Sequence, residues 1–285
     1  MFNPHPPYRS ARRDWLSRAL CWPVAACGLA SFGTPVHDNV PDAAATRLAQ
    51  AVVDRPVGRD LTTLSRMQLV ERGRAPRERE LVTYRLDSGK GRTSNLMRFL
   101  EPEDIAGTGL LSVSNPGADP DQWLYLPALD RVRRIAGDRK GGRFVGSDLY
   151  FEDLQERSVA ADTHRLLGRE TLDGVNCQLL EGVPTDPDNS VYLRRVSWVD
   201  PETLLVLRVD YFERDERRAS KRWLAVQRKR IQSIWTVTES LVADLDSGHQ
   251  TRLLVGLAQY NRKLPERLFT ARSLGDETYE ADFRP

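Results

Sequence analysis

Apolar and polar residues alternate along most of the chain beyond residue 60. In one stretch, for example, Leu205, Leu207, Val209 and Tyr211 occupy every second position. A period of two is the period of a β-strand, because successive side chains of a strand point to opposite faces of its sheet. The pattern predicts thirteen strands, at residues 61–71, 78–87, 92–101, 108–114, 122–127, 131–136, 164–171, 175–183, 191–199, 204–214, 221–231, 234–245 and 250–258.

The connections between these strands are short and rich in turn-forming residues. Typical examples are Leu172–Gly174, Asp200–Glu202 and Asp246–Gly248. Aspartate with glycine or proline at such positions indicates hairpins, and no pattern of helical length separates consecutive strands. We therefore expect one large antiparallel meander with one apolar face and one face toward water. A sheet of this size twists, so it must close into a barrel, fold into a sandwich or curve around a cover.

Two segments depart from the alternation. Residues 42–53 predict a short helix, with Asp42 as its N-cap and apolar residues at helical spacing up to Val53, before Pro56. Residues 143–157 mix large apolar residues with carboxylates and fit a short amphipathic helix or a loop that covers the apolar face of the sheet. Gly141 and Gly142 precede this segment and would let it move.

The first thirty residues have the pattern of a secretory signal. Arg9, Arg12, Arg13 and Arg18 precede an apolar run, residues 19–30, that is short for a spanning helix. The sequence thus predicts three regions: a signal peptide at 1–30, a linker and short helix at 31–60, and one domain at 61–285. Val24–Cys27 resembles a lipobox, so either Cys27 is lipidated or a peptidase cuts after Ala30; the sequence leaves both open.

Composition narrows the function class. The chain has 285 residues, 40% of them hydrophobic and 29% charged, and a net charge of +2. These values fit a folded globular protein and argue against a disordered chain or a multi-span membrane protein. Loss of residues 1–30 would remove four arginines and one aspartate and change the charge from +2 to −1. A nearly neutral protein is a poor candidate for nucleic-acid binding, and we expect no nucleic-acid partner.

Catalytic and metal-binding signals are weak. The four histidines are scattered, and the sequence has no zinc-binding or nucleophile-elbow motif. Asp148, Glu152 and Asp153 suggest a solvated helix face more simply than a metal site. Cys177 alternates in phase with its apolar neighbours and is most simply a small buried hydrophobe. The sequence therefore predicts no catalytic residue, no metal and no cofactor.

The expected site is instead an apolar cavity beneath a lid. Its lining is assigned to Phe99, Trp123, Tyr125, Trp198, Leu205, Leu207 and Tyr211, and its lid to Phe144, Leu149 and Phe151. Which face of a strand points inward is inferred from alternation, and a one-residue slip would reverse it.

Residues 121–129, 131–135 and 146–154, together with 99–111 upstream, resemble the bacterial family of outer-membrane lipoprotein-sorting proteins, in the LolA/LolB-like superfamily. The similarity extends over about residues 61–271. The resemblance implies an incomplete, curved antiparallel β-barrel covered by helices, that is, a LolA-like half-barrel. It also implies a non-enzymatic periplasmic carrier of lipoprotein acyl chains or another lipid, associated with an RND/MMPL-type inner-membrane exporter. The alternative is an accessory or structural subunit of such a transport complex.

Overall fold

The computed structural model describes residues 42–114 and 116–285, which form one curved, unclosed antiparallel sheet of thirteen strands. The strands are β1 (Asp60–Val70), β2 (Arg77–Gly89), β3 (Arg92–Glu101), β4 (Gly109–Ser114), β5 (Asp121–Leu126), β6 (Arg131–Arg134), β7 (Asp162–Leu172), β8 (Val175–Pro184), β9 (Arg194–Val199), β10 (Val206–Phe212), β11 (Lys221–Ile231), β12 (Ile234–Asp244) and β13 (Gln250–Tyr260). Each predicted strand corresponds to an observed one, and the ends differ by three residues or fewer. The prediction of a mainly β, LolA-like half-barrel is confirmed.

Helices are short and lie outside the sheet. The α-helices are α1 (Ala43–Val53) and α2 (Ala271–Leu274). The 3₁₀ turns are Pro127–Leu129, Gly137–Arg139, Phe144–Gly146, Glu152–Leu154, Val159–Ala161, Pro187–Asn189, Glu266–Leu268 and Glu277–Phe283. As predicted, Asp42 caps α1, and its carboxylate accepts a hydrogen bond from the backbone N–H of Ala44. No helix among the described residues has the length and apolarity needed to cross a membrane. The predicted signal segment 1–30, Cys27 and residues 31–41 lie outside the described residues.

The order of strands in the sheet differs from their order in the chain at one place. The sheet runs β6-β5-β4-β3-β2-β1-β13-β12-β11-β10-β9-β8-β7, and every neighbouring pair is antiparallel. The first and last strands therefore pair in the middle of the sheet, where Leu61 lies opposite Tyr260. Strands β6 and β7, consecutive in the chain, form the two opposite edges. The chain between them, residues 135–161, crosses the sheet.

We name the two faces of the sheet by what covers them. The inner face is covered by α1 and by residues 143–157, the cover segment, whose apolar side chains pack with Leu81 and Phe99. The outer face of β2–β5 is covered by the C-terminal segment, residues 264–283, which packs with Tyr84 and Leu111. The expectation that one face meets water is therefore wrong for these strands, because both of their faces are buried.

Candidate functional site

A cavity of about 800 Å³ lies against the inner face, beside the cover segment. Its walls come from α1 and the residues that follow it, from strands β1–β4 and β10–β13, and from the loops around residues 116–120 and 156–160. The large apolar side chains of this wall include Val52, Val53, Val57, Leu61, Val159, Leu205, Val206, Trp223, Trp235 and Val237. Such a volume, lined mainly by apolar groups, is typical of sites that bind small apolar ligands.

Part of the apolar lining is exposed to solvent. Val53 of α1 is 52% exposed and Trp235 of β12 is 36% exposed, and both line the cavity. Exposed apolar side chains that border an apolar cavity are typical of ligand-binding grooves. These two residues give the cavity an apolar opening to solvent.

The cavity wall also carries charged groups. Arg55, Arg85, Glu156 and Arg157 line it. The Nε of Arg85 donates a hydrogen bond to Oε1 of Glu156 at 2.9 Å. Arg157 instead bonds to groups outside the wall, with its Nε donating to Oδ1 of Asp162 at 2.9 Å. The site is therefore apolar over most of its surface and polar at one corner.

The structure distributes the seven side chains assigned to the cavity over both faces. Leu205 belongs to the cavity wall but also packs in the cluster of Trp198 and Leu207, and Phe99 and Tyr211 lie on the inner face beneath the cover and its neighbouring loop. The other four, Trp123, Tyr125, Trp198 and Leu207, belong to outer-face clusters. A register shift in β10 between Val206 and Arg208 reverses the alternation there, which explains the position of Leu207.

The three side chains assigned to the lid lie together over β1–β5. The Phe144 ring is fully buried, with its centroid 5.6 Å from that of Phe99 and 5.9 Å from that of Phe151. Leu149 packs against the same cluster. The cover segment therefore occupies this half of the inner face and leaves only a smaller cavity of about 240 Å³ between residues 153–156 and strands β2–β4. The larger cavity begins near the end of the segment, at Glu156.

The carboxylates of the cover segment are buried, so their interpretation as a solvated helix face is wrong. Asp153 accepts hydrogen bonds from Nζ of Lys221 at 2.6 Å and from the hydroxyl of Tyr192 at 2.7 Å. Glu152 accepts from Oγ of Ser190 at 2.6 Å and pairs with Arg195. Charge-assisted bonds of this kind are about twice as strong as neutral ones, and they attach the cover to β9–β11.

A third carboxylate attaches the cover to β13. Oδ2 of Asp148 lies 2.6 Å from Nδ1 of His249 and accepts from Oγ1 of Thr251 at 2.8 Å. The sequence signal was present, because an apolar segment with three carboxylates needs basic partners when it is buried. Those partners lie far away in the chain, so spacing alone did not show them. Among residues 42–114 and 116–285, no group of three or more His, Cys, Asp or Glu could hold a metal ion.

Burial changes the pKa of the groups that hold the cover. It lowers the pKa of Lys221 below its ordinary value, although the nearby Asp153 carboxylate acts in the opposite direction. It raises the pKa of Tyr192 well above its ordinary value, and the charge of Asp153 adds to this effect. The Lys221 ammonium also lies over the Tyr150 ring, 3.7 Å from its centroid. These groups hold the cover in place and do not line the cavity.

Comparison with known proteins identifies the family. A family model described as "Uncharacterized protein" matches residues 91–276. No curated protein matches the chain. A crystal structure of a DUF1329 family protein from Desulfovibrio piger is 32% identical, with a TM-score of 0.77, and the match covers 82% of this chain and 99% of that one.

Two further structures share the fold. A domain assigned to outer membrane lipoprotein sorting, from Vibrio parahaemolyticus, is 28% identical with a TM-score of 0.76, over 81% of this chain and 97% of that one. A LolA superfamily protein from Nitrosomonas europaea is 17% identical with a TM-score of 0.62, over 81% of this chain and 98% of that one, and this likeness shows the fold alone. The architecture is thus LolA-like, and the chain belongs to the DUF1329 family.

Proposed function

We propose that this protein is a non-enzymatic periplasmic carrier that binds lipoprotein acyl chains, or another lipid, in the cavity on its inner face. The observation that carries the proposal is the cavity of about 800 Å³ with its apolar wall and exposed apolar opening. At about 30 Å³ for each carbon group, close to the volume of a water molecule in the liquid, a sixteen-carbon chain needs roughly 500 Å³. The cavity is therefore large enough for one such chain.

Burial of the chain would supply the binding free energy. Each methylene removed from water contributes about 0.8 kcal/mol, so a sixteen-carbon chain gains roughly 10 kcal/mol before the costs of association. Binding of this kind needs no fixed set of polar groups. A protein of this kind therefore needs no catalytic motif.

The cargo is inferred from the neighbours. The relative from Vibrio parahaemolyticus is assigned to outer membrane lipoprotein sorting and shares 28% of its residues with this chain. We extend that assignment to this protein as a proposal, with lipoprotein acyl chains as the first candidate cargo. A periplasmic location follows from the same proposal, with lipidated Cys27 as a membrane tether.

Tryptophan quenching tests whether the cavity binds acyl chains. Trp223 and Trp235 line the cavity, whereas Trp198 packs on the outer face. Dibromostearate should quench the fluorescence of the wild type, and the double variant Trp223→Phe with Trp235→Phe should lose most of that quenching. Trp198→Phe serves as the matched control and should be quenched like the wild type. Quenching that is absent in all three proteins would exclude the cavity as an acyl-chain site.

The second candidate is an accessory subunit of an RND/MMPL-type transport complex. Exposed leucines at the two sheet edges favour it, since Leu129 is 50% exposed beside β6 and Leu167 is exposed in β7. Edge strands offer unpaired backbone groups to a partner chain. Native mass spectrometry of gently purified protein separates the two candidates, because a carrier should retain lipid mass and a subunit without cargo should not.

A further inference from the structure

The polar corner of the cavity has a surplus of positive charge. Arg55, Arg85, Glu156 and Arg157 line the cavity, and the Arg157 guanidinium forms an ion pair with Asp162, which balances its charge. Two guanidinium groups therefore share one carboxylate. Charged groups in an apolar cavity are costly unless they are paired, so this arrangement is incomplete by one negative charge.

One atom of this corner has no hydrogen-bond partner in the structure. Nε of Arg85 donates to Glu156, but its Nη1 is buried and unpartnered. The Arg85 side chain as a whole is 17% exposed. A buried N–H of a guanidinium without an acceptor loses its hydration without compensation. Nη1 of Arg85 is therefore a hydrogen-bond donor without an acceptor, beside an apolar cavity.

Arg55 adds a second weakly satisfied guanidinium. Its Nη1 lies 3.5 Å from the backbone oxygen of Val52, at the outer limit of a hydrogen bond. Burial, followed by repulsion from Arg85, lowers the pKa of the Arg55 guanidinium below its ordinary value. The two arginines are thus close enough to interact. One anion placed between them would relieve the repulsion and satisfy both donors.

We propose that the cavity selects single-chain amphiphiles with an anionic head, a carboxylate or a phosphate, and binds that head between Arg55 and Arg85. The inference rests on the proposed function, because it assigns the head of a ligand whose acyl chain fills the apolar wall. Guanidinium forks match carboxylate and phosphate oxygens in planar, two-point contacts. The far end of the acyl chain then lies at the apolar opening formed by Val53 and Trp235, through which the chain enters.

The test compares four probes by calorimetry at pH 8: laurate, dodecyl phosphate, dodecanol and inorganic phosphate. The wild type should bind laurate and dodecyl phosphate about tenfold more tightly than dodecanol, or better, and inorganic phosphate only weakly. Arg85→Met should remove the preference and leave dodecanol binding unchanged, which also shows that the variant is folded. Arg72→Met, at an exposed position in the turn after β1, is the matched control and should behave like the wild type.

A second variant gives a change of opposite sign. Glu156→Gln removes the carboxylate that competes for Arg85, so it should tighten laurate binding by several-fold and leave dodecanol binding unchanged. Equal binding of laurate and dodecanol by the wild type would overturn the anion site while supporting the acyl-chain cavity. Inorganic phosphate that binds as tightly as dodecyl phosphate would instead indicate a site for free anions. Failure of every twelve-carbon probe to bind would overturn the proposed function itself.

Discussion

The guanidinium of Arg98 and the carboxylate of Glu280 form an ion pair although neither side chain has any exposed surface. Nε of Arg98, in β3, donates to Oε1 of Glu280 at 2.6 Å. The other two nitrogens donate to the backbone oxygens of Gly107, at 2.7 Å, and Leu274, at 2.9 Å. One outer-face side chain thus joins β3 to Gly107, nine residues further along, and to the C-terminal segment, which lies more than 170 residues away in the sequence. The C-terminal segment is attached to the sheet through it.

Removal of this arginine should strongly destabilise the protein. Arg98→Met leaves the Glu280 carboxylate buried without its partner and should lower the free energy of unfolding by about 3–5 kcal/mol. Glu280→Gln is the comparison, because its amide oxygen can still accept from Arg98, whose guanidinium loses its counter-charge but keeps its bonds to the backbone oxygens of Gly107 and Leu274. It should cost less. Urea denaturation measures both, and equal losses for the two variants would contradict the importance assigned to Arg98.

The cover segment should open more often when its carboxylates are removed. Asp153→Asn leaves Lys221 buried without a negative partner and weakens the bond to Tyr192. We expect hydrogen–deuterium exchange in residues 144–154 to rise by an order of magnitude or more, since about 1.4 kcal/mol corresponds to a factor of ten. Glu71→Gln, in an exposed pair with Arg74, should leave exchange there unchanged. Unchanged exchange in Asp153→Asn would mean that apolar packing alone holds the cover.

Asp210 should make stability depend on acid pH. Burial acts to raise the pKa of this carboxyl, but hydrogen bonds from Arg208 and Arg222 outweigh it and lower the pKa below its ordinary value of 3.8. The group therefore binds its proton less readily when folded. The contribution of Asp210 to the free energy of unfolding is fully present above the unfolded-state pKa. It is lost as the pH falls through the lower folded-state pKa.

Asp210→Asn should accordingly reduce stability by about 2 kcal/mol at pH 7. The difference from the wild type should stay constant from pH 7 to about pH 5 and shrink as the pH is lowered further toward 3, which thermal unfolding at several pH values measures. Asp173→Asn, at an exposed hairpin turn, should show no such trend. A gap that stays constant down to pH 3 would show that Asp210 does not titrate in this way.

Cys177 should be protected from thiol reagents in the folded protein. It is buried on the outer face and has no disulfide partner among the described residues, and burial raises the pKa of its thiol above the ordinary value. Both effects reduce the thiolate available to react. Reaction at pH 8 should therefore be slow in buffer and fast in denaturant. Similar rates in both conditions would place the thiol at the surface.

Filling the cavity should exclude an acyl chain. Val237 lines the cavity, and Val237→Trp places a bulky ring in the space proposed for the ligand. Displacement of a fluorescent fatty acid should show at least a tenfold loss of affinity. Val226→Trp makes the same change in the neighbouring strand at a residue that is 47% exposed, and its affinity should match that of the wild type. Comparable losses in both variants would indicate a general effect of the added ring.

The sequence predicted the strands well because alternation and hairpin turns are local properties. It predicted the side chains of the cavity less well, because their direction depends on features elsewhere. The register shift after Val206 moves Leu207 to the outer face, and alternation alone does not reveal it. Trp123 and Tyr125 point to the outer face, where the C-terminal segment covers them. That segment has no strand pattern, so its sequence does not indicate where it packs. The buried partners of Asp148, Glu152 and Asp153 are equally distant in sequence.

The pairing of β1 with β13 has a consequence for how the chain can be cut and rejoined. Read from β7, the strands succeed one another around the sheet as β7 to β13 and then β1 to β6. A circular permutant with new ends within residues 135–161 and the old ends joined would therefore contain hairpin neighbours only. The native chain must instead bring Leu61 to Tyr260 across a loop on the order of 200 residues, which costs entropy and slows folding. The connection of residues 135–161, which contains the cover segment, is therefore not required for the pairing of the strands.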